Sequence, residues 1–135
     1  MNASLVLVDV AVKDLSGAAL NWAVAQVVDY KTALEGNDNG PDEWIVMGRE
    51  DMYLTRDPDE FCVWSPSTDW SQGGPLIDKY IRQVKFYAGE LPESAWRGET
   101  VDGWGEGPTP LIAACRAIVA AKLGDIVKVP ACLVR

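Results

Sequence analysis

The segment from Ser65 to Pro75, SPSTDWSQGGP, holds the densest group of chemically competent side chains in this 135-residue chain. Ser67, Thr68, Asp69 and Gln72 bring hydroxyl, carboxylate and amide groups around Trp70. Gly73 and Gly74 let the backbone turn with positive φ or approach a ligand closely. If Pro75 opens the following helix, the Gly-Gly turn directs free amides outward at its N-terminus, which suits a phosphate or a carboxylate. The absence of GK[ST] sets it apart from a nucleotide-binding P-loop. The same residues also fit a tight turn whose hydroxyls cap neighbouring backbone. The density of polar groups beside an aromatic ring favours ligand binding.

A second candidate is EGPTP, Glu106 to Pro110, where Thr109 caps the last helix and leaves first-turn amides available to a ligand. Arg116 lies two turns into that helix among apolar neighbours, and a buried Arg calls for a partner. An internal ion pair, with Asp69 or another acid, is the expectation; an anionic ligand is the alternative. The chain has six tryptophans, enough to divide between two roles. Trp22, Trp44 and Trp64 fall in expected elements and read as core. Trp70, Trp96 and Trp104 fall in Gly-rich stretches, where flat rings can stack on a base, sugar or partner side chain or can plug the ends of a small core.

Several chemistries are excluded outright. The chain contains no histidine, which removes Ser-His-Asp and Cys-His nucleophilic schemes and every His-based metal site. Cys62, Cys115 and Cys132 are odd in number and widely spaced, giving neither a disulfide framework nor a zinc signature. Asp69 with Asp78 or Glu106 could form a carboxylate pair for metal-dependent hydrolysis, but no nucleophile has a recognisable base. No catalytic residue, metal ligand or cofactor is therefore assigned. The net charge of −8, with 12 basic residues that form no cluster, argues against duplex nucleic acid. No apolar run reaches the roughly 20 residues of a membrane span, and no signal-peptide pattern opens the chain. A cytoplasmic protein is the expectation.

The elements that must position these groups read as α+β, a single domain over residues 1–135 with a small, mostly antiparallel sheet packed by two or three helices. Leu5 to Val12 is a strand by its Val and Leu content. Ser16 caps a helix whose Leu20, Ala23, Val24, Val27 and Val28 recur at helical spacing, with Leu15 and Leu20 as a hydrophobic staple. Thr32 to Asp42 reads as a loop. Its resemblance to a calcium loop fails because Val46 stands where the bidentate Glu must be. Glu43 to Met47 and Phe61 to Trp64 are short strands. Leu76 to Ala88 fits a helix, with Ile81 to Tyr87 alternatively a strand. Glu90 to Thr109 reads as a long Gly- and Trp-rich loop, mobile or functional. Pro110 begins a final helix that Gly124 ends, and Asp125 to Val129 closes as a strand.

Three blocks, DLSGAALNWAVA (Asp14 to Ala25), SPSTDWSQGGPLID (Ser65 to Asp78) and GPTPLIAACRAIVAAKLGDIVKVP (Gly107 to Pro130), resemble the NinX-like proteins of tailed phages and prophages. They stand in the family's order over more than a third of the chain; Asn37 to Glu60 has no match. The resemblance implies a phage-encoded accessory protein in a bacterial cytoplasm and supplies no catalytic residues. The leading functional expectation is a module for a small anionic or nucleotide-like ligand, held by Ser67, Thr68, Asp69, Trp70, Gln72, Gly73, Gly74, Thr109 and Arg116. The alternative is a factor that docks on a host or phage protein through exposed Trp residues. Self-association is a further option.

Overall fold

The computed structural model describes residues 7–28, 32–36, 43–47, 53–54, 64–87 and 92–134. Among the described residues, three antiparallel sheets and three α-helices make an α+β fold. β1 (Leu7–Ala11) pairs with β8 (Ile126–Pro130), so the two ends of the described chain form one ribbon. Along β8 the exposure alternates: Val127 and Val129 are buried, Ile126 and Lys128 are exposed. One face of the ribbon is thereby committed to the core. On the other face Lys128 Nζ meets Asp9 directly across the pair at 2.8 Å.

After a 3-10 turn at Val12–Asp14 comes α1 (Gly17–Val27), apolar on nearly every side and buried from Ala19 through Ala25. Ser16 stands at its N-cap position, although its side chain makes no capping hydrogen bond. The core gathers Leu15, Leu20 and Val24 with Trp64, Cys115, Val119 and Val129. Trp22 and Trp64 are core residues, as their placement in the sequence suggests.

β2 (Thr32–Gly36), β3 (Glu43–Met47) and β4 (Tyr53–Leu54) form a second sheet in that order. The strand expected at Glu43 to Met47 is present. The loop expected from Thr32 is a strand as far as Gly36, because pairing with Met47–Glu43 satisfies a backbone whose composition alone favours a turn. Residues 37–42 and 61–63, and with them Cys62, lie outside the described residues.

The third sheet corrects the largest expectation. α2 (Trp70–Tyr80) leads into β5 (Gln83–Phe86), and β6 (Trp96–Glu99) and β7 (Trp104–Gly107) follow in the order β5-β6-β7. The stretch read as a loop through Thr109 is mostly a hairpin, and Trp96 and Trp104 are strand residues. Its glycines explain both the misreading and the fold. Gly98, Gly105 and Gly107 face α3 (Pro110–Leu123) so closely that a Cβ on Gly105 would stand 2.5 Å from the Ala117 amide nitrogen. The stripe of Ala113, Ala114 and Ala117 answers it, and sheet and helix pack nearly backbone to backbone. Glycine here is a packing residue rather than a turn residue. α3 begins and ends as its sequence predicts: Thr109 Oγ1 accepts from the Ile112 N–H, Pro110 follows, and Gly124 stops the helix with φ +98°.

Candidate functional site

The Ser65–Pro75 segment is built by its own hydrogen bonds. The Asp69 carboxylate caps α2, with Oδ1 accepting from the Ser71 N–H (2.9 Å) and hydroxyl (2.7 Å) and Oδ2 from Gln72 Nε2 (3.1 Å). These bonds, the Ser71 hydroxyl first, hold its carboxyl below the ordinary value of 3.8. Gln72 Oε1 accepts from the Ser65 N–H, and the Ser65 and Thr68 hydroxyls share a 2.5 Å hydrogen bond. Buried Asn21 of α1 ties the segment down, donating from Nδ2 to Ser65 Oγ and accepting the Ser67 N–H at Oδ1. The Asn21 carbonyl takes the Trp64 indole N–H at 2.9 Å.

This arrangement changes the local reading. α2 starts at Trp70, so Gly73, Gly74 and Pro75 lie inside the helix and present no outward Gly-Gly turn at its N-terminus. Asp69 wins the cap because its carboxylate reaches the Ser71 amide. Gly73 is required by proximity: a Cβ there would stand 2.3 Å from the Pro66 carbonyl oxygen and 2.6 Å from Leu111 Cδ2. The segment therefore abuts the first turn of α3, near Thr109. A Cβ on Gly74 would meet nothing within 4 Å outside its own helix backbone. Trp70 is exposed, whereas Ser67 is buried with a hydroxyl that has no partner among the described residues.

Arg116 stands elsewhere. Its expected ion pair is replaced by main-chain contacts: Nε donates to the Leu15 carbonyl (2.9 Å) and Nη1 to the Glu106 carbonyl (2.8 Å). A planar guanidinium bridges the two carbonyls where a carboxylate would satisfy neither. Burial lowers its pKa while the charge of Asp14 opposes that shift. Arg116 lines a cavity of roughly 630 Å3, together with Lys13, Trp104, Asp102 and Asp125 and the β7 backbone. None of the other residues expected to bind ligand lines this cavity.

Trp104, 52% exposed, is held by Arg97, whose guanidinium stacks 4.1 Å from the ring centroid. Arg97 is in turn fixed by Glu99 at 3.1 Å and lies 4.0 Å from Glu106. The cavity thus joins a half-buried cation to an exposed, oriented aromatic ring. Lys13, Asp102 and Asp125 escaped sequence reasoning, because pairing of β1 with β8 brings Lys13 and Asp125 to the cavity from opposite ends of the chain. The alternation Gly103-Gly105-Gly107 was a usable signal, since it is the pattern of a strand pressed on a helix.

Among the described residues no group of three or more Cys, Asp or Glu side chains could hold a metal ion, and no helix is long and apolar enough to cross a membrane. No curated protein matches the chain. The family described as Bacteriophage P22, NinX matches residues 11–122, from the end of β1 through most of α3, and so takes in the Asn21-tied segment and the lining of the Arg116 cavity except Asp125 and Ile126. The chain belongs to this NinX family of phage accessory proteins.

Proposed function

We propose that the protein is a binding module acting in the host cytoplasm, and that its ligand occupies the cavity between β7 and the end of the β1–β8 ribbon. The observation that carries this reading is Arg116, a half-buried cation bonded to two carbonyls and, among the described residues, to no carboxylate, beside an exposed tryptophan. A group in that position offers charge-assisted hydrogen bonds to an anion. The Trp104 ring offers apolar area at low entropic cost. The volume falls within the range of small-molecule sites, about 300–1,000 Å3. In this reading Arg116 carries the ligand. Ser67, Thr68, Asp69, Gln72 and Gly73 hold α1, α2 and α3 in place, with Thr109 as the cap of α3, and Gly74 is a position in α2 that faces open space. Trp70, 57% exposed at the start of α2, supports the second reading, a docking residue for a host or phage protein.

The test is titration of 15N-labelled protein with inorganic phosphate, benzoate and AMP. Shifts confined to the amides of Gly103, Gly105 and the Trp104 indole are expected for at least one probe. If all three leave those signals unmoved, the cavity is not an anion site.

A further inference from the structure

Among the described residues the β7 strand is an edge of its sheet, and its pairing decides which main-chain groups face the cavity. The Thr100 N–H donates to the Gly103 carbonyl at 2.7 Å. In an antiparallel ladder hydrogen-bonded pairs recur at every second residue, so Gly98–Gly105 and Trp96–Gly107 are the bonded pairs. Trp104 and Glu106 therefore point their N–H and C=O groups away from β6. The position of Arg116 agrees, since its Nη1 takes the Glu106 carbonyl from that outer side. The edge still offers the Trp104 carbonyl and, two residues on, the Glu106 N–H, and both residues line the cavity.

An acceptor at one residue and a donor two residues later is the pattern that a single residue of a parallel strand engages, its N–H on the first and its carbonyl on the second. Here a guanidinium stands beside the donor, and Arg116 Nη2 makes no hydrogen bond to the described residues. We propose that the ligand is an α-carboxylate with an adjacent N–H, the chemistry shared by a free α-amino acid and the carboxy-terminal residue of a peptide. The carboxylate accepts from the Glu106 N–H and from Arg116, and the ligand N–H donates to the Trp104 carbonyl. An apolar side chain then packs against Trp104 and Ile126, both exposed at the cavity. Asp102 and Asp125, also at the cavity, balance the ammonium of a free amino acid and disfavour a multiply charged anion. This proposal rests on the cavity being the binding site.

The test varies the probe, so no variant has to fold. Calorimetry and 15N spectra of the whole chain are compared for L-phenylalanine, glycyl-L-phenylalanine, glycyl-L-phenylalanine amide and 3-phenylpropionate. L-Phenylalanine or the dipeptide should bind about tenfold or more tighter than 3-phenylpropionate, which lacks the N–H, and should shift the Trp104 and Glu106 amides. The better of the two identifies the source, free amino acid or peptide end. The dipeptide amide should lose about tenfold relative to the acid. The proposal is overturned if neither phenylalanine nor the dipeptide outbinds 3-phenylpropionate, or if a dipeptide that binds does so no better than its amide. The absence of binding by both phenylalanine and the dipeptide overturns it as well. Each of these results leaves the anion site itself standing if benzoate or phosphate still shifts the cavity amides.

Discussion

Asn21 Oδ1 accepts the main-chain N–H of Ser67 at 3.1 Å, and both residues are buried. This bond crosses 46 positions of sequence and fastens the segment before α2 to the centre of α1. Asn21→Ala removes it together with the Asn21–Ser65 bond and strands a buried donor. A loss of about 2 kcal/mol in urea unfolding is expected.

The hydroxyl of Ser67, on the same buried residue, has no partner among the described residues. Ser67→Ala removes a desolvated polar group without stranding another, so it should leave stability unchanged or raise it by about 1 kcal/mol. A clear loss would mean that the hydroxyl has work that its surroundings do not reveal.

Adjacent glycines in α2 should respond with opposite signs. Gly74→Ala meets open space and gains helix propensity, so a rise of roughly 0.5–1 kcal/mol is expected. Gly73→Ala drives a methyl into the Pro66 carbonyl and should cost about 2 kcal/mol or more. Thermal melts of the two variants decide the matter, and equal shifts would refute the packing described for Gly73.

The Asp69 cap makes stability depend on pH in one direction. Its folded carboxyl lies below the ordinary 3.8, so the ionised form is the one the fold favours. The contribution is therefore complete above about pH 4 and is lost as pH falls through the folded value. Asp69→Ala should cost about 1 kcal/mol at pH 7. That difference from the unaltered protein should narrow as the pH of the denaturation series approaches 3.

Cys115 is buried and its thiol is pushed up to about 12 by desolvation. It should resist alkylation by iodoacetamide at pH 8 in the folded protein and react on unfolding, read by mass mapping of its peptide. Rapid labelling under native conditions would contradict its place in the core.

Much of this fold is written in local sequence. Thr109, Pro110 and Gly124 bound α3 through cap, φ and left-handed stop, each a property of one residue and its neighbours. The apolar run of α1 announces a central helix for the same reason. The Ser65–Pro75 segment was legible as a place of dense hydrogen bonding, but the direction of those bonds was not. A hydroxyl or carboxylate serves a backbone amide and a ligand equally well, and only the position of Asn21, contributed by another element, ties the segment inward through the Ser65 hydroxyl and the Ser67 N–H. The glycines of β6 and β7 misled for a related reason: a missing Cβ permits both a turn and a close approach, and α3 selects the second. An Arg among apolar neighbours marks position 116 as one in need of a partner. Its carbonyl partners, and the cavity where Lys13, Trp104 and Asp125 meet it, depend on the pairing of β1 with β8 and the packing of β7 on α3. Contacts between segments so far apart along the chain leave no periodicity in the sequence, so the tertiary structure alone decided them.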